Sequence, residues 1–252
     1  MKLHPALLLL TTLTTSALVS PALAQSIAPA NDGTGTVVTR HGSRYDISGG
    51  QRPTPQHLFH SFESFGLSRQ EIARFLSQPN IDHILARVVG GEVSLIEGLL
   101  QVSGGDANLY LMNPAGIIFG QEARLDVPAS FTATTATGIG LEEGWFPASG
   151  AIDFSTLSGD PNQFTFAATE PGAIVNAGEL VVSQGENLTL LGGTVVNTGT
   201  LSAPGGQVVL TAVPGENRVR LSQAGMLLSL EVKPIASSST NLPSPVSLPE
   251  LL

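Results

Sequence analysis

Any chemistry in this chain has to come from carboxylates, histidines and serines, because its 252 residues include no cysteine. Disulfides and thiolate metal sites are thereby excluded. Paired acids flanking a sugar bond hydrolyse glycosides, and acids around a bound calcium ion serve polysaccharide cleavage. In the repetitive part of the chain the acids stand apart. Glu92, Glu97, Asp106, Glu122, Asp126, Glu170, Glu179 and Glu186 put no two close together on one strand face. Glu142 and Glu143 are adjacent, and on extended backbone they point opposite ways. His57 and His60 would share a face of a helix, but no third histidine, cysteine or acid stands at ligand spacing beside them. His41 and His83 are isolated. No serine sits in a G-x-S-x-G elbow, and Gly33-Thr34-Gly35 lacks the third glycine of a dinucleotide loop. Asn187-Leu188-Thr189 matches a glycosylation sequon, a short and unspecific pattern. The inventory speaks against an enzyme, and no cofactor or metal is expected.

What remains is a set of residues whose types suit turns. Asn113-Pro114-Ala115-Gly116 separates two apolar runs, Leu109–Met112 and Ile117–Phe119. Proline fixes φ near −65° at the second position of a turn, and glycine takes the positive φ that such a turn needs at its end. Tyr110 and Met112 alternate with Leu109 and Leu111, so one face of the first run can be buried. The flanking chain repeats. Gly172–Leu180 recurs as Gly193–Leu201, an offset of 21 residues. Gly185–Leu191 has looser counterparts starting at Gly105 and Gly206. Strand-length apolar pieces with Gly and Asn corners at this period predict an all-β fold, a right-handed parallel β-helix. Leu188 and Leu190 are expected inside it, with Asn187 and Thr189 outside. Asn176 and Asn197 should stack one coil apart at a corner, where side-chain amides bond along the axis.

Elsewhere the pattern is less regular. Thr36–Thr39 and Tyr45–Ile47 read as two strands joined by Arg40–Ser43, the start of an N-terminal β cap. Leu58, Phe59, Phe62 and Phe65 fit both periods, and the aromatic density favours a strand or irregular cap. Residues 70–87 are the best helix candidate: Ser68 and Glu71 form a capping-box pair and Pro79 stops the pattern, with a second short turn of helix over Asn80–Ala86. The stretch from Gly140 to Pro161, with Trp145 and Phe146, breaks the period and is expected to leave the coil.

The ends and the charge bound the setting. Lys2, the apolar Ala6–Val19 and Ala22-Leu23-Ala24 make residues 1–24 a cleaved signal peptide, read by the Sec export machinery. Residues 25–233 then form one domain, and 234–252 a Pro/Ser-rich linker or a truncated C-terminus. Net charge is −9, or about −10 without Lys2, which speaks against nucleic acid as a partner. Only 12% of residues are charged and 42% are hydrophobic, so the body should fold.

Signal peptide, β cap, Asn-Pro-x-Gly-Ile and Gly/Asn solenoid together resemble the haemagglutination activity domain, the two-partner secretion domain at the N-terminus of filamentous haemagglutinin-like exoproteins. The most specific motif, Asn-Pro-Asn-Gly-Ile/Leu in the family, falls on Asn113, Pro114, Ala115, Gly116 and Ile117. Leu58–Phe65 resembles the family's aromatic segment and Phe131–Ile139 its strand after the motif. Ala115 departs from the common asparagine, though Asn-Pro-Ala-Gly-Ile-Ile-Phe-Gly is similar to the cyanobacterial-type variant. The resemblance implies a secretion-targeting domain, recognised in the periplasm by an outer-membrane β-barrel transporter through Asn113, Pro114, Gly116 and Ile117. It further implies secretion or display at the cell surface, with β-helix folding seeded outside. The alternative is a stand-alone extracellular adhesin or glycan-binding β-helix module.

Overall fold

The computed structural model describes residues 26–224 and 227–235. The expected signal peptide, and the expected tail beyond Ile235, lie outside the described residues. At the N-terminal end stand β1 (Ala28–Pro29), β2 (Thr36–His41) and β3 (Arg44–Gly49). Short strands then follow one another around an axis: β4 (His57–Ser64), β5 (Ile72–Leu76), β6 (His83–Val88), β7 (Ser94–Ile96), β8 (Leu99–Ser103), β9 (Asn108–Met112), β10 (Ile117–Phe119), β11 (Arg124–Asp126) and β12 (Phe131–Thr134). The chain leaves the axis through β13 (Gly138–Gly140), β14 (Trp145–Pro147), a 3-10 turn at Phe154–Thr156 and β15 (Gln163–Phe166). It returns for β16 (Ala173–Asn176), β17 (Glu179–Val181), β18 (Leu188–Gly192), β19 (Thr194–Asn197), β20 (Thr200–Ser202) and β21 (Val208–Ala212). A hairpin of β22 (Asn217–Ala224) and β23 (Leu227–Pro234) ends the described chain.

The product is a β-solenoid of about six turns with three faces. The first face runs β1-β4-β6-β9-β12-β18-β21, the second β7-β10-β16-β19, and the third β2-β3-β5-β8-β11-β17-β20. Coil-to-coil pairing is parallel, whereas β1 on β4 and β2 on β3 are antiparallel and close the N-terminal end. The repeat seen in the sequence is the register: Ala173 pairs with Thr194 and Glu179 with Thr200, each 21 residues apart. The weaker match is shifted by one. Leu188 lies opposite Val208, not Val209, because the last coil is a residue shorter on this side.

Strand period 2 builds two cores. Leu109, Leu111, Phe131, Leu188 and Leu190 point inward with Phe62, Phe65, Phe75 and Phe119. The opposite side of the first face is covered too, by a side sheet ordered β14-β13-β15-β22-β23. Between them, Phe59, Leu85, Met112 and Leu191 pack on Phe146, Phe164, Phe166 and Val219. Thr189 therefore lies outside the coil, as expected, yet is only 3% exposed. The excursion is also wider than Gly140–Pro161, since β13 and β15 on either side belong to the side sheet.

The helix expected over 70–87 is absent: that stretch holds β5 and β6. The local motif still forms, with Ser68 N donating to Glu71 Oε2 at 2.9 Å and Glu71 N to the Ser68 carbonyl at 3.1 Å. It closes a turn, with Gln70 at φ 66°, and no helix grows from it. Ala73 and Phe75 face the core while Ile72 and Arg74 do not, and β5 is paired on both sides, by β3 and β8. Helix propensity is a few tenths of a kcal/mol per residue, and such pairing overrides it. The second short helix over Asn80–Ala86 fails for the same reason, because His83–Val88 pairs with β4 and β9.

Candidate functional site

The Asn113–Ile117 stretch is the corner between the first and second faces. Asn113 is fully buried. Its Nδ2 donates to the Glu92 carbonyl and to Ser94 Oγ, both at 2.9 Å, and its Oδ1 accepts from Ala115 N at 3.0 Å. One amide thus closes its own turn and ties it to the coil before. Its backbone N donates to the Thr134 carbonyl at 2.9 Å, a link to the coil after. Gly116 adopts φ 128°, and a Cβ there would stand 3.2 Å from the Ala173 carbonyl oxygen. A Cβ on Gly172 of the next coil would overlap the Pro114 carbonyl, so these corners stack backbone on backbone. Ile117 points into the core, opposite Ser94 and Ile174. Only Pro114 and Ala115 reach the rim, where they line a hollow of about 210 Å³ with Val88, Val89, Thr137 and Ala148.

Asn176 and Asn197 occupy a different corner, between the second and third faces. Asn176 is fully buried, and its Nδ2 donates to Asn197 Oδ1 at 2.8 Å, while its Oδ1 accepts from Gly178 N at 3.1 Å. Asn113 has no place in that ladder: the residue in register with Asn176 one coil earlier is Phe119. Of the residues that complete the Asn113 geometry, Gly172 shows in the sequence only as the start of a repeat, and Ser94 carries no sequence signal of its own. A serine in a strand looks the same whether or not an amide reaches it.

Beside the corner, Arg87 is 2% exposed and joins three segments. It donates to Ser61 Oγ (3.0 Å), to the Pro147 and Gly150 carbonyls (2.8 and 3.2 Å) and to Asp32 Oδ2 (2.8 Å). Burial works against the Asp32 carboxylate, but hydrogen bonds from Ser61, Thr34 and Arg87 outweigh it and hold its pKa well below the usual carboxylate range. Arg87 so pins the lead-in strand and the side sheet next to the hollow.

Away from the corner, His83 Nε2 lies 3.2 Å from Asp160 Oδ1, with the His57 ring 5.3 Å from that of His83. His57 and His60 lie on a strand, so His57 faces the side sheet and His60 the interior. Among the described residues no three His, Cys, Asp or Glu side chains are grouped to hold a metal ion. Glu143 Oε2 accepts from Ser158 Oγ at 2.9 Å at the edge of the excursion. The Asn113 corner itself offers no nucleophile, acid or base, only an ordered turn and an apolar rim.

The family model that matches, described as TPS secretion domain, covers residues 24–241. The chain belongs to the TPS secretion domain family. Its function class is accordingly two-partner secretion targeting, in a family that is non-catalytic. The TPS domain is also 28% identical, over 196 residues, to the heme/hemopexin-binding protein of Haemophilus influenzae (strain ATCC 51907 / DSM 11121 / KW20 / Rd). That match takes in 75% of this chain but 19% of the relative, so the chain spans about a fifth of the relative's length. The crystal structure of the HMW1 secretion domain from Haemophilus influenzae superposes with a TM-score of 0.57 at 20% identity, over 85% of this chain and 50% of that one. The TPS domain shares its solenoid fold. The filamentous hemagglutinin secretion domain superposes at a TM-score of 0.40 and 15% identity, over 74% of this chain and 99% of that one, too loosely to support an argument.

Proposed function

We propose that this TPS domain delivers its chain to an outer-membrane β-barrel transporter, whose periplasmic domains read it before it folds, and then seeds solenoid folding outside the cell. One observation carries this reading: among the described residues the solenoid is closed at one end and open at the other. At the N-terminal end, antiparallel β1 and the β2–β3 hairpin cover the first coil. At the far end β19, β20 and β21 are each the last strand of their face. Val208 and Leu210 there are 38% and 43% exposed, whereas Leu188 and Leu190, in register with them one coil earlier, are fully buried. A surface of that kind accepts another coil, and each added coil buries apolar area worth roughly 25 cal/mol per Å². Growth then runs in the direction in which the chain emerges, and needs neither nucleotide nor cofactor.

Burial of Asn113 fits reading in the unfolded state. Once the corner has closed, the amide is spent on Glu92, Ser94 and Ala115, so a partner meets it only in extended chain. An extended segment pairing with a sheet edge of the transporter's periplasmic domains is a recognition mode of matching chemistry. The signal peptide would first pass the chain through the Sec machinery. The test is residues 1–233 fused to a passenger and expressed with and without the transporter. Passenger in the medium only with the transporter supports the reading; equal amounts in both refute it.

A further inference from the structure

A groove of about 570 Å³ runs between the outer side of the first face and the side sheet. Its volume falls within the ~300–1,000 Å³ of small-molecule sites. On its floor Tyr110, Thr132 and Thr189 lie directly opposite one another on β9, β12 and β18. Their side chains therefore emerge in a row at the spacing of adjacent strands, ~4.8 Å, with the Tyr110 hydroxyl reaching further out than the two threonine hydroxyls. Thr132 and Thr189 are 7% and 3% exposed, and among the described residues none of the three hydroxyls has a hydrogen-bond partner. On the groove's other side the Asn162 side-chain oxygen is buried and likewise unpartnered. Burial, reinforced by the nearby Asp160 charge, raises the pKa of the Tyr110 phenol, so it stays a donor at any physiological pH.

These hydroxyls open onto the groove, and the buried Asn162 oxygen opposite is a wall group that a ligand's donor would newly satisfy. The surroundings narrow the class. Glu142, Asp160 and Glu231 line the groove against Arg220 alone among the arginines and lysines, and an anionic ligand would meet repulsion. Among the described residues no three His, Cys, Asp or Glu side chains are grouped to hold a metal ion there. A purely apolar ligand would leave the hydroxyl row and Asn162 unsatisfied. A molecule that satisfies both sides carries hydroxyls in series and an apolar C–H face for the Tyr110 ring. We infer that this groove binds a neutral oligosaccharide, aligned along the Tyr110–Thr132–Thr189 row. The site is separate from the Asn113 corner and owes nothing to the secretion reading, so either can fail alone.

The experiment uses the full secreted chain and saturation-transfer NMR with cellotriose, maltotriose, mannotriose and a β-linked galactotriose, with a heparin trisaccharide as the anionic comparison. At least one neutral trisaccharide should bind. The double substitution Thr132→Val with Thr189→Val, which keeps side-chain shape and removes two hydroxyls, should weaken that sugar at least tenfold with an unchanged circular dichroism spectrum. Asn162→Ala, outside the coils, should weaken it by a smaller factor and keeps the test alive if the double variant fails to fold. No signal from any neutral trisaccharide, tighter binding of the heparin trisaccharide, or unchanged affinity in the variants would each overturn the inference.

Discussion

Replacing Asn113 by alanine separates a folding role from a recognition role, provided a matched corner is changed beside it. Asn113→Ala deletes three hydrogen bonds and strands the Glu92 carbonyl and the Ala115 N–H at a buried corner. At ~1 kcal/mol per bond, with allowance for the stranded groups, the loss is about 2–4 kcal/mol. For a domain of this size that lowers Tm by on the order of 10 °C and leaves the protein folded at room temperature. Asn176 is the control. It is equally buried and uses its amide in the same way, toward Asn197 and Gly178, at the other corner. Urea denaturation of the two purified variants should therefore give similar losses. Passenger secreted through the transporter at 25 °C should fall further in Asn113→Ala than in Asn176→Ala. A stability loss below about 0.5 kcal/mol in Asn113→Ala would refute the bonding account. Equal secretion of both variants would leave the corner as a turn and nothing more.

Arg87→Met removes the buried cation that joins Asp32, Pro147 and Gly150, and should cost about 2–3 kcal/mol in urea denaturation, because charge-assisted hydrogen bonds are lost to acceptors that water can only partly reach; a loss under 1 kcal/mol would mean water replaces the guanidinium. Burial pushes the His60 imidazole down from 6.5 to about 3. The folded value is the lower one, so the unfolded chain takes up the proton first: this contribution is intact above pH ~6.5 and drains as pH falls toward 3, by on the order of 4–5 kcal/mol in all. His60→Phe should flatten the stability–pH curve across that window, and an unchanged slope would assign the acid sensitivity elsewhere. The Asp32 contribution stands apart, because its depressed pKa is felt only as pH falls below its ordinary 3.8. A methyl at Gly138 would overlap the Trp145 ring, which lies over the β13 backbone. Gly138→Ala should shift the emission of this single tryptophan to the red and open the side sheet to protease before the coils, with Trp145→Ala in the same chain restoring protection.

The sequence by itself determined the repeating architecture. A 21-residue offset between Gly172–Leu180 and Gly193–Leu201 is also the pairing of β16 on β19 and β17 on β20, because a coil must return each residue to its neighbour's height. Asn113-Pro114-Ala115-Gly116 marked a corner for reasons inside four residues: a fixed φ, a side chain that closes an Asx turn, and a glycine at positive φ. Tertiary structure decided the rest. Ser68 and Glu71 bond as a helix start would have them, yet β3 and β8 on either side claimed the next residues for a sheet. Leu109/Tyr110/Leu111/Met112 alternates identically whether its outer side is wet or covered, so only the side sheet reveals that Met112 is in a second core and Tyr110 in a groove. Local patterns record what a residue prefers within one strand or turn. Which surface then covers that strand depends on segments 50 to 110 residues away, and no short-range pattern encodes them.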